Sequence, residues 1–114
     1  MREPARDKGR LADILEAAAY LKQFTDGVKY SHFLSDKLRY FAVLKNVEIV
    51  GEAAYMLSSE FKELHPDLPW SQMIKMRHVL VHGYASILPE VLWETATKEI
   101  PDVIPRIEAL YSLM

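Results

Sequence analysis

The sequence predicts an all-α protein, a bundle of four to five helices that forms a single domain over residues 1–114. Apolar residues recur mostly at intervals of three and four, which is the spacing of one helix face. Only four glycines interrupt the chain. The 114 residues are half apolar and include no cysteine, so the core must form without disulfides. One helical domain of this size can do so.

The first two helices are predicted from their caps and their apolar faces. The first should run from about Asp7 to Phe24, because Thr25-Asp26-Gly27 is a typical helix end. Ser35 is the candidate N-cap of a long second helix that reaches about Phe61. The residues predicted to face inward are Leu11, Ile14, Leu15, Ala18 and Leu21 in the first helix, and Tyr40, Phe41, Leu44, Val47, Val50, Ala54 and Leu57 in the second.

Prolines separate the remaining helices. Residues 65–69 contain two prolines and predict a turn, after which a third helix begins near Pro69 or Trp70. A fourth helix should start near Pro89, and Pro101 should kink it or restart it. The inward face of this last helix is the apolar run Val103, Ile104, Ile107 and Leu110.

The segment most informative about chemistry is Arg77-His78-Val79-Leu80-Val81-His82-Gly83-Tyr84, near the predicted end of the third helix. A guanidinium stays charged and forks onto phosphate oxygens, and an imidazole exchanges a proton near neutral pH. Gly83 is the residue expected just past the end of the helix. His82 would lie at this C-terminal end, where the helix dipole stabilises a protonated imidazole. The segment therefore suits phosphodiester cleavage, with Arg77 binding the phosphate and His82 as general acid or base.

Arg77 and His82 do not share one helix face cleanly, because five residues turn an ideal helix through about 140°. They would converge if the helix frays at its end, or if two copies met across a two-fold axis and each supplied a histidine. Cleavage without a metal needs both a base and an acid. The sequence therefore predicts a homodimer with the third helices near the axis.

Structural roles compete with these assignments. Arg77 could simply form an ion pair with Glu52 or Glu48 on the second helix, although such a carboxylate can also hold a catalytic arginine in position. His78 and His82 have a spacing that can bind a metal. No third ligand follows at a suitable distance, so neither a metal nor a cofactor is predicted.

Two interpretations are possible for Tyr84. It could pack as an interface aromatic with its hydroxyl in water. Its position just after Gly83 instead predicts an exposed hydroxyl that a modifying enzyme can reach.

Charge and hydropathy limit the partners and the location. The formal net charge is −2 and the pI is about 6.1, so RNA binding would depend on local basic grooves or on a basic surface made by oligomerisation. No stretch approaches the roughly 20 apolar residues of a transmembrane helix, and the N-terminus lacks a signal-peptide core. We expect a cytoplasmic protein with no membrane contact.

Three segments resemble the HepT-like branch of the HEPN superfamily: Glu48-Ile49-Val50-Gly51-Glu52-Ala53-Ala54, the Pro69-Trp70 helix start, and Met76 to Tyr84. The spacing from Asp13-Ile14-Leu15-Glu16-Ala17 to Pro101 also fits, so the resemblance covers nearly the whole chain. The family signature is an arginine, four residues, a histidine, one residue and a tyrosine. Arg77, His82 and Tyr84 match it, and His78 stands where the family often has asparagine.

The resemblance implies a dimeric, HEPN-like, metal-independent endoribonuclease toxin of a toxin-antitoxin system, cutting RNA such as tRNA or mRNA. Arg77 and His82 would be its catalytic residues, with His78 and Glu52 in support. The implied partner is a minimal nucleotidyltransferase antitoxin, which silences the toxin by attaching AMP to Tyr84. The alternative is a non-catalytic helical dimer that only pairs with a nucleotidyltransferase or binds a nucleotide through Arg77 and His82.

Overall fold

The helices of this chain are seen in a computed structural model, which describes residues 4–83 and 87–114 apart from the side chains of residues 81 and 82. The described part is α-helical and contains no strand, which confirms the all-α class. Its helices are α1 (Asp7–Thr25), α2 (Tyr30–Ser35), α3 (Lys37–Met56), α4 (Ser59–Leu64), α5 (Trp70–His82), α6 (Pro89–Glu94) and α7 (Ile100–Ser112), with a 3-10 turn at Pro4–Arg6 and a π-helical turn at Thr95–Glu99.

Helix α1 begins and ends where the sequence predicts. Gly27 follows its end with φ +71°, in the left-handed region that favours glycine. The hydroxyl of Thr25 donates to the carbonyl of Leu21 at 2.7 Å and so occupies an acceptor in the last turn. The predicted inward face is confirmed, because Leu11, Ile14 and Leu21 are buried and Leu15 and Ala18 are partly buried against the core.

The prediction of one long second helix capped by Ser35 is wrong at its start. Ser35 is the last residue of α2, and its hydroxyl donates to the carbonyl of His32. Asp36 caps α3 instead, its carboxylate accepting the backbone N–H of Arg39 at 3.1 Å. That hydrogen bond holds the pKa of Asp36 below its ordinary value. Aspartate is as good a cap as serine, and here it stands one residue later.

The same prediction is wrong at its end, because α3 stops at Met56. Ser58 has extended backbone and caps α4, its hydroxyl accepting the N–H of Phe61 at 3.1 Å. Asp7 also binds Ser58, accepting its backbone N–H at 2.8 Å and its hydroxyl at 2.6 Å. Both residues are buried, so this pair ties the start of α1 to the junction of α3 and α4. A contact across 51 residues leaves no mark in the local sequence.

The C-terminal helices confirm the predicted start at Pro89 and the predicted change near Pro101. Residues 89–112 keep helical backbone throughout, but α-helical bonding stops at Glu94 and resumes at Ile100. The π-helical turn between them stands just before Pro101, which lacks the N–H that an unbroken α-helix would use. Val103 and Ile107 are buried as predicted.

Helix α3 lies between α1 and α5 and supplies much of the core. Its buried side chains Val43, Val47, Val50 and Ala54 recur every three or four residues. Phe41 was predicted to face inward and is instead 60% exposed. Two residues turn a helix through about 200°, so the face that buries Val43 turns Phe41 outward. In the described ranges, no helix has both the length and the apolar character needed to cross a membrane.

Candidate active site

Helix α5 approaches the backbone of α3 at Gly51. A Cβ atom added at Gly51 would overlap the Cβ of Arg77 and lie 2.8 Å from the carbonyl oxygen of Met73. Any larger residue would therefore push the two helices apart. Because Gly51 has no side chain, the backbone of Arg77 in α5 can lie directly against α3.

The guanidinium of Arg77 is paired with Glu52. Its Nε donates to Oε2 of Glu52 at 2.5 Å, and the two side chains are 22% and 47% exposed. Glu48, the other partner considered from the sequence, instead accepts a hydrogen bond from Lys45 at 2.9 Å. The predicted ion pair between Arg77 and the preceding long helix is therefore made by Glu52.

The ring of Tyr55 forms a second contact with the same guanidinium. The Cζ atom of Arg77 lies 4.8 Å from the ring centroid, within the range of a cation-π interaction. No motif in the sequence marks Tyr55. Helical spacing could have found it, because Gly51, Glu52 and Tyr55 lie within little more than one turn of α3.

Both histidines of the segment lie on α5. His78 is exposed on this helix, and His82 is its last residue. Gly83 follows the helix as predicted, and its N–H donates to the carbonyl of Val79 at 2.7 Å, but its φ of −137° is not left-handed. The side chain of His82 and all of Tyr84 lie outside the described residues, so both assignments stay predictions.

One face of α3 runs from exposed apolar residues to the Arg77 contacts, and we call it the outer face of α3. Leu38 is 85% exposed and Phe41 60% exposed near its start. Glu52 and Tyr55 hold Arg77 at its other end. Intervals of three and four residues place six side chains on this face: Leu38, Phe41, Lys45, Glu48, Glu52 and Tyr55.

No group of three or more His, Asp or Glu side chains suited to a metal ion occurs among the residues that could be searched, which leave out the side chain of His82. Arg77 is suited to bind a phosphate, since its two Nη nitrogens form a fork that matches two phosphate oxygens.

Comparisons with known proteins show which family the chain belongs to. The family model described as "Ribonuclease HepT-like" matches residues 14–110. A protein of Thermococcus cleftensis named "Probable ribonuclease HepT" is 40% identical over 103 residues, covering 90% of this chain and 94% of that protein. "Putative RNase MJ1380" of Methanocaldococcus jannaschii is 34% identical over 101 residues, covering 89% and 93%.

A third relative, "Putative RNase TTE0752" of Caldanaerobacter subterraneus, is 32% identical over 100 residues, covering 88% of this chain and 89% of that protein. No solved structure matches the chain. The family model spans nearly the whole sequence, including α3 and α5 with their Arg77 contacts. The resemblance inferred from the sequence is thus confirmed, and the chain belongs to the HepT-like ribonuclease family.

Proposed function

We propose that this chain is a metal-independent endoribonuclease toxin that cuts RNA through Arg77 and His82. The observation that carries the proposal is the way Arg77 is held. Among the described residues, Arg77 donates a hydrogen bond from Nε to Glu52. Gly51 packs against its Cβ, and the ring of Tyr55 packs against its guanidinium. As far as the described residues go, this leaves the Nη fork to bind a phosphate, and the family membership supports RNA as the source of that phosphate.

The reaction follows from these groups. A base removes the proton of a ribose 2′-hydroxyl, and the oxygen attacks the adjacent phosphorus. The bond to the 5′-oxygen of the next nucleotide breaks, and an acid returns a proton to that oxygen. The products are a 2′,3′-cyclic phosphate and a 5′-hydroxyl. Arg77 stabilises the negative charge on the equatorial phosphate oxygens, and His82 transfers a proton.

The reaction calls for two proton-transfer groups, and the signature provides one histidine in each chain. A homodimer that brings two copies of His82 near one phosphate supplies both. The outer face of α3 supports this assembly, because its exposed Leu38 and Phe41 continue along one helix face to Glu52 and Tyr55. Large apolar side chains exposed side by side on one helix face are typical of a surface that packs against another protein. We place this face, with α5 beside it, in the dimer interface.

Leu38→Glu should convert the dimer to a monomer and remove RNA cleavage together. A carboxylate in an apolar helix interface is costly to bury, so the subunits separate. Size-exclusion chromatography with light scattering gives the mass, and cleavage of a labelled RNA in each fraction gives the activity. Leu113→Glu is the matched control, because Leu113 is also 85% exposed but lies beyond α7. A wild-type monomer that cuts RNA would exclude the composite site.

The partner we propose is a nucleotidyltransferase antitoxin that attaches AMP to the hydroxyl of Tyr84. The new phosphodiester would place a negative charge two residues from His82, where it competes with the substrate phosphate for Arg77. Inhibition then requires no unfolding. Activity would then depend on whether the hydroxyl of Tyr84 carries AMP.

Tyr84→Phe should escape silencing while keeping the fold and the dimer. Co-expression with a nucleotidyltransferase encoded beside this chain, followed by intact-mass measurement, should show a gain of AMP on the wild type and none on Tyr84→Phe. Tyr111→Phe, on α7, is the control and should be modified like the wild type. An adduct of full yield on Tyr84→Phe would place the modification on another residue.

A further inference from the structure

Three residues from one region of α3 hold Arg77 at three different points. Gly51 lies against its Cβ, Glu52 accepts a hydrogen bond from its Nε, and the ring of Tyr55 covers its Cζ. The side chain is 22% exposed, so water reaches only part of it. The long, flexible side chain of Arg77 is thus held at its Cβ, its Nε and its guanidinium carbon.

The contacts with Glu52 and Tyr55 restrict Arg77 in different ways. A guanidinium has five N–H donors, and the bond to Glu52 uses the one on Nε. That single bond sets the position of Nε but still lets the guanidinium plane rotate about the N–H···O line. A ring packed on the guanidinium removes this rotation, because the plane gains attraction only while it stays over the ring face.

We propose that Tyr55 is a positioning residue for RNA cleavage, which orients the plane of Arg77 so that its Nη fork meets two oxygens of the scissile phosphate. The proposal rests on the ribonuclease function proposed above and assigns one further residue to its site. Bidentate contacts depend on the plane of the arginine as well as on its charge. A guanidinium free to rotate would spend less time aligned with the transition state.

Tyr55→Leu should therefore lower kcat about tenfold, since it removes the ring but keeps an apolar side chain. KM should change less than kcat, because the charge of Arg77 remains and alignment matters most in the transition state. Tyr55→Phe keeps the ring and should restore kcat to within about twofold of the wild type. The measurement is steady-state cleavage of a short RNA with one cleavage site, well below the unfolding temperature of each variant.

Two controls separate positioning from a general effect on the fold. Tyr111→Leu removes the ring that lies 5.3 Å from the Nζ of Lys8, a contact of the same type between residues near the two ends of the chain, and should leave kcat unchanged. In an Arg77→Ala background, Tyr55→Leu should have no further effect, because the residue it positions is gone. A further loss in that background, or a Phe variant as slow as the Leu variant, would overturn the proposal.

A second readout does not depend on activity. The Nε–H of Arg77 gives its own NMR signal, and the ring of Tyr55 should shift that proton. In Tyr55→Leu we expect this shift to vanish and the separate Nη signals of the wild type to merge, since the guanidinium plane is then free to rotate while Nε stays bonded to Glu52. Separate Nη signals in Tyr55→Leu would reject the positioning role. A wild type that cuts no RNA but shows separate Nη signals would reject the proposed function and leave the geometry of Arg77 standing.

Discussion

Arg77→Ala and His82→Ala should each lower the rate of RNA cleavage by about two orders of magnitude or more. The first removes the cation that stabilises the phosphate oxygens, and the second removes the group that transfers a proton. Both proteins should stay folded. Arg77→Ala leaves Glu52 without its partner, but that side chain is 47% exposed, so water can hydrate it.

The matched controls are Arg106→Ala and His32→Ala. Arg106 is an exposed arginine of α7 that donates to the carbonyl of Asp67, and His32 is an exposed histidine of α2. Neither should change cleavage by more than about twofold. A single-turnover assay with end-labelled RNA compares the four variants. Full activity in His82→Ala would contradict its assignment, and full activity in Arg77→Ala would remove the basis of the proposed site.

Gly51→Ala should lower the free energy of unfolding by about 2–3 kcal/mol and reduce cleavage as well. The added Cβ meets backbone, since it would lie 2.8 Å from the carbonyl oxygen of Met73 and 3.0 Å from the Cα of Arg77. A flexible side chain could move aside, but here the two helices must separate. The same movement would carry Arg77 away from Glu52, so stability and activity should fall together.

Gly9→Ala provides the opposite control for this prediction. Gly9 lies in α1, and apart from its own helix backbone no atom of the described residues lies within 4 Å of an added Cβ. Alanine is the better helix former, so this variant should gain about 0.5 kcal/mol. Urea unfolding of both variants measures the two effects. A Gly51→Ala protein as stable as the wild type would show that the α3 and α5 backbones do not need their close approach.

Local sequence signals predicted much of the fold. The glycine after α1, the proline before α5 and the proline that starts α6 all stand where the structure begins or ends a helix. Such caps act over a few residues, so they can be recognised along the chain. The division of the predicted second helix into α3 and α4 could not be predicted from such signals. Ser35, Asp36 and Ser58 are all cap formers, and the buried bond from Asp7 to Ser58 exists only in the folded chain.

The candidate site was predictable to a similar degree. Arg77 follows from its residue type and its signature, and Glu52 was one of two carboxylates at a suitable place on the preceding helix. The choice between them depends on the rotation of α5 against α3, which Gly51 sets by its lack of a side chain. Tyr55 was not predicted: helical spacing places its ring near Glu52, but its contact with the guanidinium depends on the direction in which Arg77 points.

The most direct test of the central claim, that Arg77 and His82 cut RNA without a metal, is the chemistry of the product ends. Purified wild-type protein should cleave a defined RNA in EDTA and leave a 2′,3′-cyclic phosphate on one fragment and a 5′-hydroxyl on the other, as mass spectrometry of both fragments would show. Fragments that end in a 3′-hydroxyl and a 5′-phosphate, or cleavage that EDTA abolishes, would contradict the mechanism. No cleavage of any RNA would favour the non-catalytic dimer that binds a nucleotidyltransferase or a nucleotide.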